Sequence, residues 1–252
     1  MIIIISLYLI AGTLLYVFQR SLLYFPTQNS GHTNDTENFS NDNKIIEVLT
    51  LNKGKSNALI YFGGNGESVG YNLIDGDFLE IFADFAVYLL SYRGYGGSSG
   101  TPSERAICGD AIMLYDRIAV NHDTVSIMGR SLGSGVATYV ASKKEVHKIA
   151  LITPFDSIQS VAQSRFWMFP MALIIKDKYD SFSRVDNIKA KVLVMIAQND
   201  HIISNKHTTR LVNKFSSEQI KAITIKDVGH ATISETEEYH KTLKQFFTQS
   251  IQ

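Results

Sequence analysis

The chain has 252 residues, 45% of them hydrophobic, and its 24 basic side chains balance 24 acidic ones. That length suits one domain with a full core, and the charge balance provides no basic field for nucleic acid. The single cysteine, Cys108, excludes an internal disulfide; with no CxxC, HExxH or GxxxxGK[ST] pattern, neither a metal nor a cofactor is expected.

Residues 1–19 carry no charged side chain, and 2–18 are almost continuously apolar apart from Ser6, Gly12 and Thr13. A bilayer span needs about 20 such residues, with a lower limit near 17. Residues 20–25 add an aromatic interfacial extension, so 1–25 is expected to be a single-pass N-terminal membrane anchor helix. The absence of a basic leader and a small-residue cleavage site argues against a removed signal peptide. A helix docked on the domain is the rival reading, because Tyr8 and Tyr16 sit poorly at mid-membrane depth. Arg20, the one basic residue nearby, leaves the side of the catalytic domain open.

Residues 26–43 are rich in Asn and Thr with one large apolar side chain, Phe39. Such a segment buries too little to offset its ordering entropy, which predicts a polar linker ahead of a domain over 44–252. Residues 45–51 suggest an antiparallel edge hairpin or strand. Apolar runs near 58, 86, 124, 149, 191 and 222 are spaced for crossover helices, which predicts an α/β fold: a mostly parallel sheet covered on both faces.

Loops after these strands carry the chemistry. After the strand at 58–62 comes Gly63, Gly64, Asn65, Gly66, Glu67, whose glycines let backbone approach a substrate. Gly129, Arg130, Ser131, Leu132 and Gly133 form GxSxG between an apolar strand and a Gly/Ala-rich helix, the setting of a nucleophile elbow. On that reading Ser131 is the nucleophile. The Leu132 N–H supplies one oxyanion donor, and Asn65, with Gly64 second, supplies the other. The bland reading makes Ser131 a helix cap.

The acid and base should follow in that order. Asp200 lies just past the apolar strand 191–197 and His230 just past the strand at 222–225, at the sheet edge where such folds display chemistry. Asp156, after the strand at 149–153, is the alternative acid. Asp227 fits a turn. His32, His122, His147, His201, His207 and His240 are expected on surfaces or loops, with His201 and His207 the exceptions to watch. Between Asp156 and Asp180, the stretch containing Phe166, Trp167 and Met168 either roofs the site and binds substrate or packs on the sheet.

Residues 62–67, the run SYRGYGGSSGTPSE at 91–104, the GRSLG elbow, TPFDSI at 153–158, Asn199, Asp200, Gly229 and His230 together resemble the α/β hydrolase superfamily. The likeness is closer to its membrane-anchored abhydrolase branch, which includes protein depalmitoylases. It implies an α/β hydrolase fold and a Ser131–His230–Asp200 triad, with Arg93 and its neighbouring tyrosines supporting the active-site face. Gly63 stands where that family usually has histidine, and Ser204 where proline is common. The expected activity is cleavage of an acyl ester or thioester through an acyl-enzyme, on a small-molecule or acylated substrate. Amide cleavage, acyl transfer or a noncatalytic scaffold are the alternatives.

Overall fold

The computed structural model describes residues 1–28, 36–73 and 75–249, so His32 lies outside the described residues. Helix α1 spans Ile2–Leu23, followed by strands β1 (Thr36–Asn41), β2 (Lys44–Leu51) and β3 (Asn57–Phe62). Helix α2 (Gly76–Ile81), β4 (Phe85–Leu90), α3 (Glu104–Ala119), β5 (Thr124–Arg130), α4 (Leu132–Ala141) and β6 (Lys148–Ile152) continue the alternation. Beyond them lie α5 (Ile158–Arg165), the single turns α6 (Met171–Ile174) and α7 (Ser181–Arg184), β7 (Lys191–Ala197), α8 (Asn205–Val212), β8 (Ile220–Ile225) and α9 (Glu237–Thr248).

One sheet runs β1-β2-β4-β3-β5-β6-β7-β8. Pairing is parallel from β4 through β8, while β2 is antiparallel to β4 and β1 to β2. Alternate residues of the buried strands feed opposite layers. Ile60 and Ile127 pack with Ile107 and Val136 of α3 and α4, whereas Leu59 and Met128 pack with Phe78 and Leu243 of α2 and α9. The chain leaves β3 toward β4 on one side and returns to β5 on the other. The crevice beyond the carboxyl ends of β3 and β5 is therefore the switch point where open α/β sheets bind ligands.

Two sequence expectations need correction. The linker over 26–43 is too long: 36–41 is strand β1, which makes the hairpin alternative at the sheet edge the one that forms. Its ladder with β2 supplies the backbone bonds, Phe39 supplies the buried side chain, and Asn41 Nδ2 donates to Asp110 at 2.6 Å. Asp42 and Asn43, with φ of 50° and 58°, form the two-residue turn, where hairpin geometry demands positive φ at both central positions.

The N-terminal helix forms as expected, yet from Tyr8 onward one side of it is docked as well as apolar. Tyr8 stacks on Phe169 with centroids 4.8 Å apart, the buried Gln19 side chain donates to the Ile174 carbonyl and accepts from Lys176 N–H, and Arg20 pairs with Asp177 at 2.9 Å. The remaining surface of the helix is exposed apolar side chain, including Ile2, Leu9, Leu14 and Val17.

Candidate active site

The elbow is built by sterics. Ser131 sits at φ 49°, ψ −115°, a left-handed conformation costly for a residue with a side chain. Both flanking glycines are required: a Cβ at 129 would collide with the Gly133 carbonyl, and one at 133 with the carbonyls of Phe62 and Gly63. The Ser131 N–H donates to Ile152 O at 2.9 Å, locking the turn to the neighbouring strand.

Two loop residues converge on the serine. His230 Nε2 lies 2.9 Å from Ser131 Oγ, and His230 Nδ1 lies 2.7 Å from Asp200 Oδ2. An ionised carboxylate only accepts, so Nδ1 carries the proton and the Nε2 lone pair faces the hydroxyl. The Asp200 side chain is 2% exposed, and its other oxygen accepts from the N–H groups of Ile202 and Ile203 at 2.9 and 2.7 Å. The histidine loop is tied to the elbow by Arg130, which donates to the Ala231 carbonyl at 2.8 Å.

Asp156, the other candidate acid, is committed elsewhere. It is buried, with Oδ1 3.0 Å from His207 Nδ1 and Oδ2 2.9 Å from Arg210. His207 is correspondingly no surface residue: it is 4% exposed within α8, because a buried carboxylate draws partners inward. Cys108 offers no rival nucleophile, since burial pushes its thiol up to about 12.

The loop after β3 lies against the elbow, where a Cβ on Gly64 would stand 3.7 Å from the Ser131 Cβ. The Gly64 N–H donates to Glu67 Oε2 at 2.7 Å, which occupies that donor and leaves Asn65 as the better source of a second oxyanion N–H. Glu67, outside the sequence-derived set, is the clamp of this loop, also accepting from Tyr61 O–H and Asn72. Its position three residues after Gly64 is the signal for a carboxylate folding back on a turn. Tyr92 O–H donates to the Gly63 carbonyl, and a side chain at 63 would meet Val69 Cγ1 at 2.7 Å. Val69 thus occupies the space that a histidine at 63 would need. Arg93 takes the structural role expected of it, holding buried Asp110 through two bonds of 2.8 Å.

The Asn65 side chain is itself fixed by the end of α1: Nδ2 donates to the Leu23 carbonyl at 2.6 Å, while Oδ1 accepts from Phe25 N–H and Tyr95 O–H. The expected substrate contacts fall elsewhere. The contacts of the 166–169 stretch run to α1 rather than to the serine, through Tyr8 on Phe169 and Tyr8 O–H to the Met168 carbonyl. Trp167 and Met168 remain 76% and 58% exposed. This apolar stretch packs along the helix because α1 is the nearest apolar surface. A cavity of about 270 Å³ does adjoin the elbow, lined among others by Arg130, Glu67, Ser234, Tyr239 and Phe78.

Known proteins are similar to this chain in fold or in sequence. The Pyrococcus furiosus esterase Pf2001 superposes with a TM-score of 0.70 at 14% identity, over 89% of this chain and 98% of that one. Alpha/beta hydrolase domain-containing protein 17B of Xenopus tropicalis is 26% identical over 171 residues, 66% of this chain and 57% of the relative. The lysophosphatidylserine lipase ABHD12 of Danio rerio is 31% identical over 139 residues, 47% of this chain and 36% of that protein. The chain spans about half the length, or less, of the curated relatives it matches. Residues 92–238, more than half of the chain and the part that holds elbow, acid and histidine, match the family model described as Serine hydrolase (FSH1), and the chain belongs to that family.

Proposed function

We propose that the protein hydrolyses acyl esters or thioesters through an acyl-enzyme on Ser131. The observation that carries this is the continuous chain from Ser131 Oγ through His230 to Asp200, at 2.9 and 2.7 Å. Ser131 Oγ attacks the carbonyl carbon as His230 Nε2 takes its proton, and the Leu132 and Asn65 N–H groups meet the oxyanion. His230 then protonates the departing alkoxide or thiolate, leaving Ser131 acylated. Water attacks the acyl group, His230 takes the water proton and returns it to Ser131, and the acid is released. Asp200 holds the tautomer and stabilises the imidazolium.

The substrate class follows from placement. Helix α1 carries an apolar surface suited to a membrane and ends on the Asn65 loop, which sets the serine where an acyl chain leaves lipid. The lysophosphatidylserine lipase relative is consistent with an acylated substrate.

A fluorophosphonate probe tests the reaction. Wild type labels and Ser131→Ala does not; folded wild type that fails to label would mark a noncatalytic scaffold. In an acyl-ester series octanoyl turns over faster than acetyl, and the reverse order would remove the lipid assignment while leaving the hydrolase.

A further inference from the structure

The stretch from Phe166 to Leu173 is unusual for a water-facing loop. Its side chains are apolar and exposed: Trp167 76%, Met168 58%, Leu173 80% and Phe166 37%. Its backbone carbonyls nevertheless find their donors within the protein. The Phe166 carbonyl accepts from Phe169 N–H and the Pro170 carbonyl from Leu173 N–H. Gln163 Nε2 donates to the carbonyls of both Trp167 and Phe169, and Tyr8 O–H donates to that of Met168 at 2.8 Å. Every carbonyl from 166 to 170 thus has a donor inside the protein, which meets for the acceptors the condition hydrocarbon imposes on irregular backbone. The same bond satisfies the Tyr8 hydroxyl, the polar group least suited to the middle of an apolar helix.

This stretch is continuous with the exposed apolar face of α1 through the Tyr8–Phe169 stack and the contact of Gly12 with Phe169. A polar collar bounds the joint surface. Lys176 Nζ lies 4.0 Å from the Tyr16 ring centroid, Arg20 pairs with Asp177, and Arg165 ends α5, placing basic groups where they can meet headgroups. Beyond that collar extend only residues 1–15, about 22 Å of helix, short of the roughly 30 Å hydrocarbon core and, laid oblique, able to stay within the half of it that one leaflet supplies.

We propose that α1 and the 166–173 stretch form one wedge that enters a single leaflet of a phospholipid bilayer, so that the docked helix does not cross it and the Asn65 loop rests at headgroup level. This rests on α1 as the membrane-binding element, as taken above, and replaces the single-pass anchor expected from length alone. It also explains why Phe166, Trp167 and Met168 lie away from the serine: they face the lipid that carries the substrate.

Trp167 is the only tryptophan of the chain, so intrinsic fluorescence reports the wedge directly. Full-length protein is mixed with phosphatidylcholine vesicles, some of whose acyl chains are brominated, and vesicle binding is measured by flotation. The proposal expects flotation, a blue-shifted emission, about twofold quenching by chain bromines, and loss of quenching by aqueous iodide. Flotation with Trp167 still open to iodide overturns the wedge while leaving α1 as anchor, and no flotation overturns both. A blue shift without bromine quenching assigns the face to a second copy and overturns the lipid assignment. For depth, Ile2→Cys is probed with an impermeant maleimide trapped in the vesicle lumen, Cys108 being buried. No labelling is expected; lumenal labelling means that α1 crosses, and overturns the single-leaflet geometry.

Discussion

The molecule contains two Asp–His–Ser chains. In one, Asp200 Oδ2, His230 and Ser131 Oγ are linked at 2.7 and 2.9 Å; in the other, Asp156, His207 and Ser164 Oγ are linked at 3.0 and 3.2 Å. As side-chain inventories they are nearly the same, and their backbones separate them. Ser131 stands on a left-handed turn at the start of α4, beside backbone donors and a glycine loop. Ser164 stands inside α5 and already donates to the Ser160 carbonyl, so its hydroxyl is engaged and no elbow presents it. Asp156 also answers to Arg210 and to the Ser157 N–H; its cluster fastens α5 to α8. Nucleophilic chemistry depends on where the main chain places the oxygen, beyond which side chains surround it.

The largest test of this contrast is the histidine pair. His230→Ala lowers kcat/KM on an activated ester by about 10⁴ or more, whereas His207→Ala keeps turnover within a few-fold; equal losses from both would erase the distinction. Next comes Asp156→Ala, which strands the His207 and Ser157 N–H donors. We expect about 1–3 kcal/mol of lost stability, read as a Tm lower by about 2–4 °C per kcal/mol, with kcat retained. A collapse of kcat at unchanged Tm would make Asp156 the working acid. The smallest effect belongs to Ser164→Ala, within about 0.5 kcal/mol in stability and without change in fluorophosphonate labelling.

The residues of the first chain are legible in the sequence because each follows an apolar strand in an order that few alternatives satisfy. Asp156 follows a strand just as Asp200 does, and one-dimensional pattern cannot separate them: the difference lies in whether His207 or His230 arrives, which is set by how α8 and the loop after β8 pack. Strand β1 is hidden for another reason. Its stability comes from a ladder with β2 and one buried ring, neither visible as composition, although Asp42-Asn43 ahead of an apolar run was a hairpin signal available to be read. The partner of the 166–173 stretch is tertiary: it lies some 155 residues away in α1, as the Gln19–Ile174 bond marks.

The bonds from Leu23 and Phe25 to Asn65 tie the end of α1 to the loop beside the elbow. A variant lacking α1 would keep the serine but lose the neighbours that orient the Asn65 loop. On the proposed reading of α1 as the lipid-binding element, detachment from lipid and loss of activity would then come together.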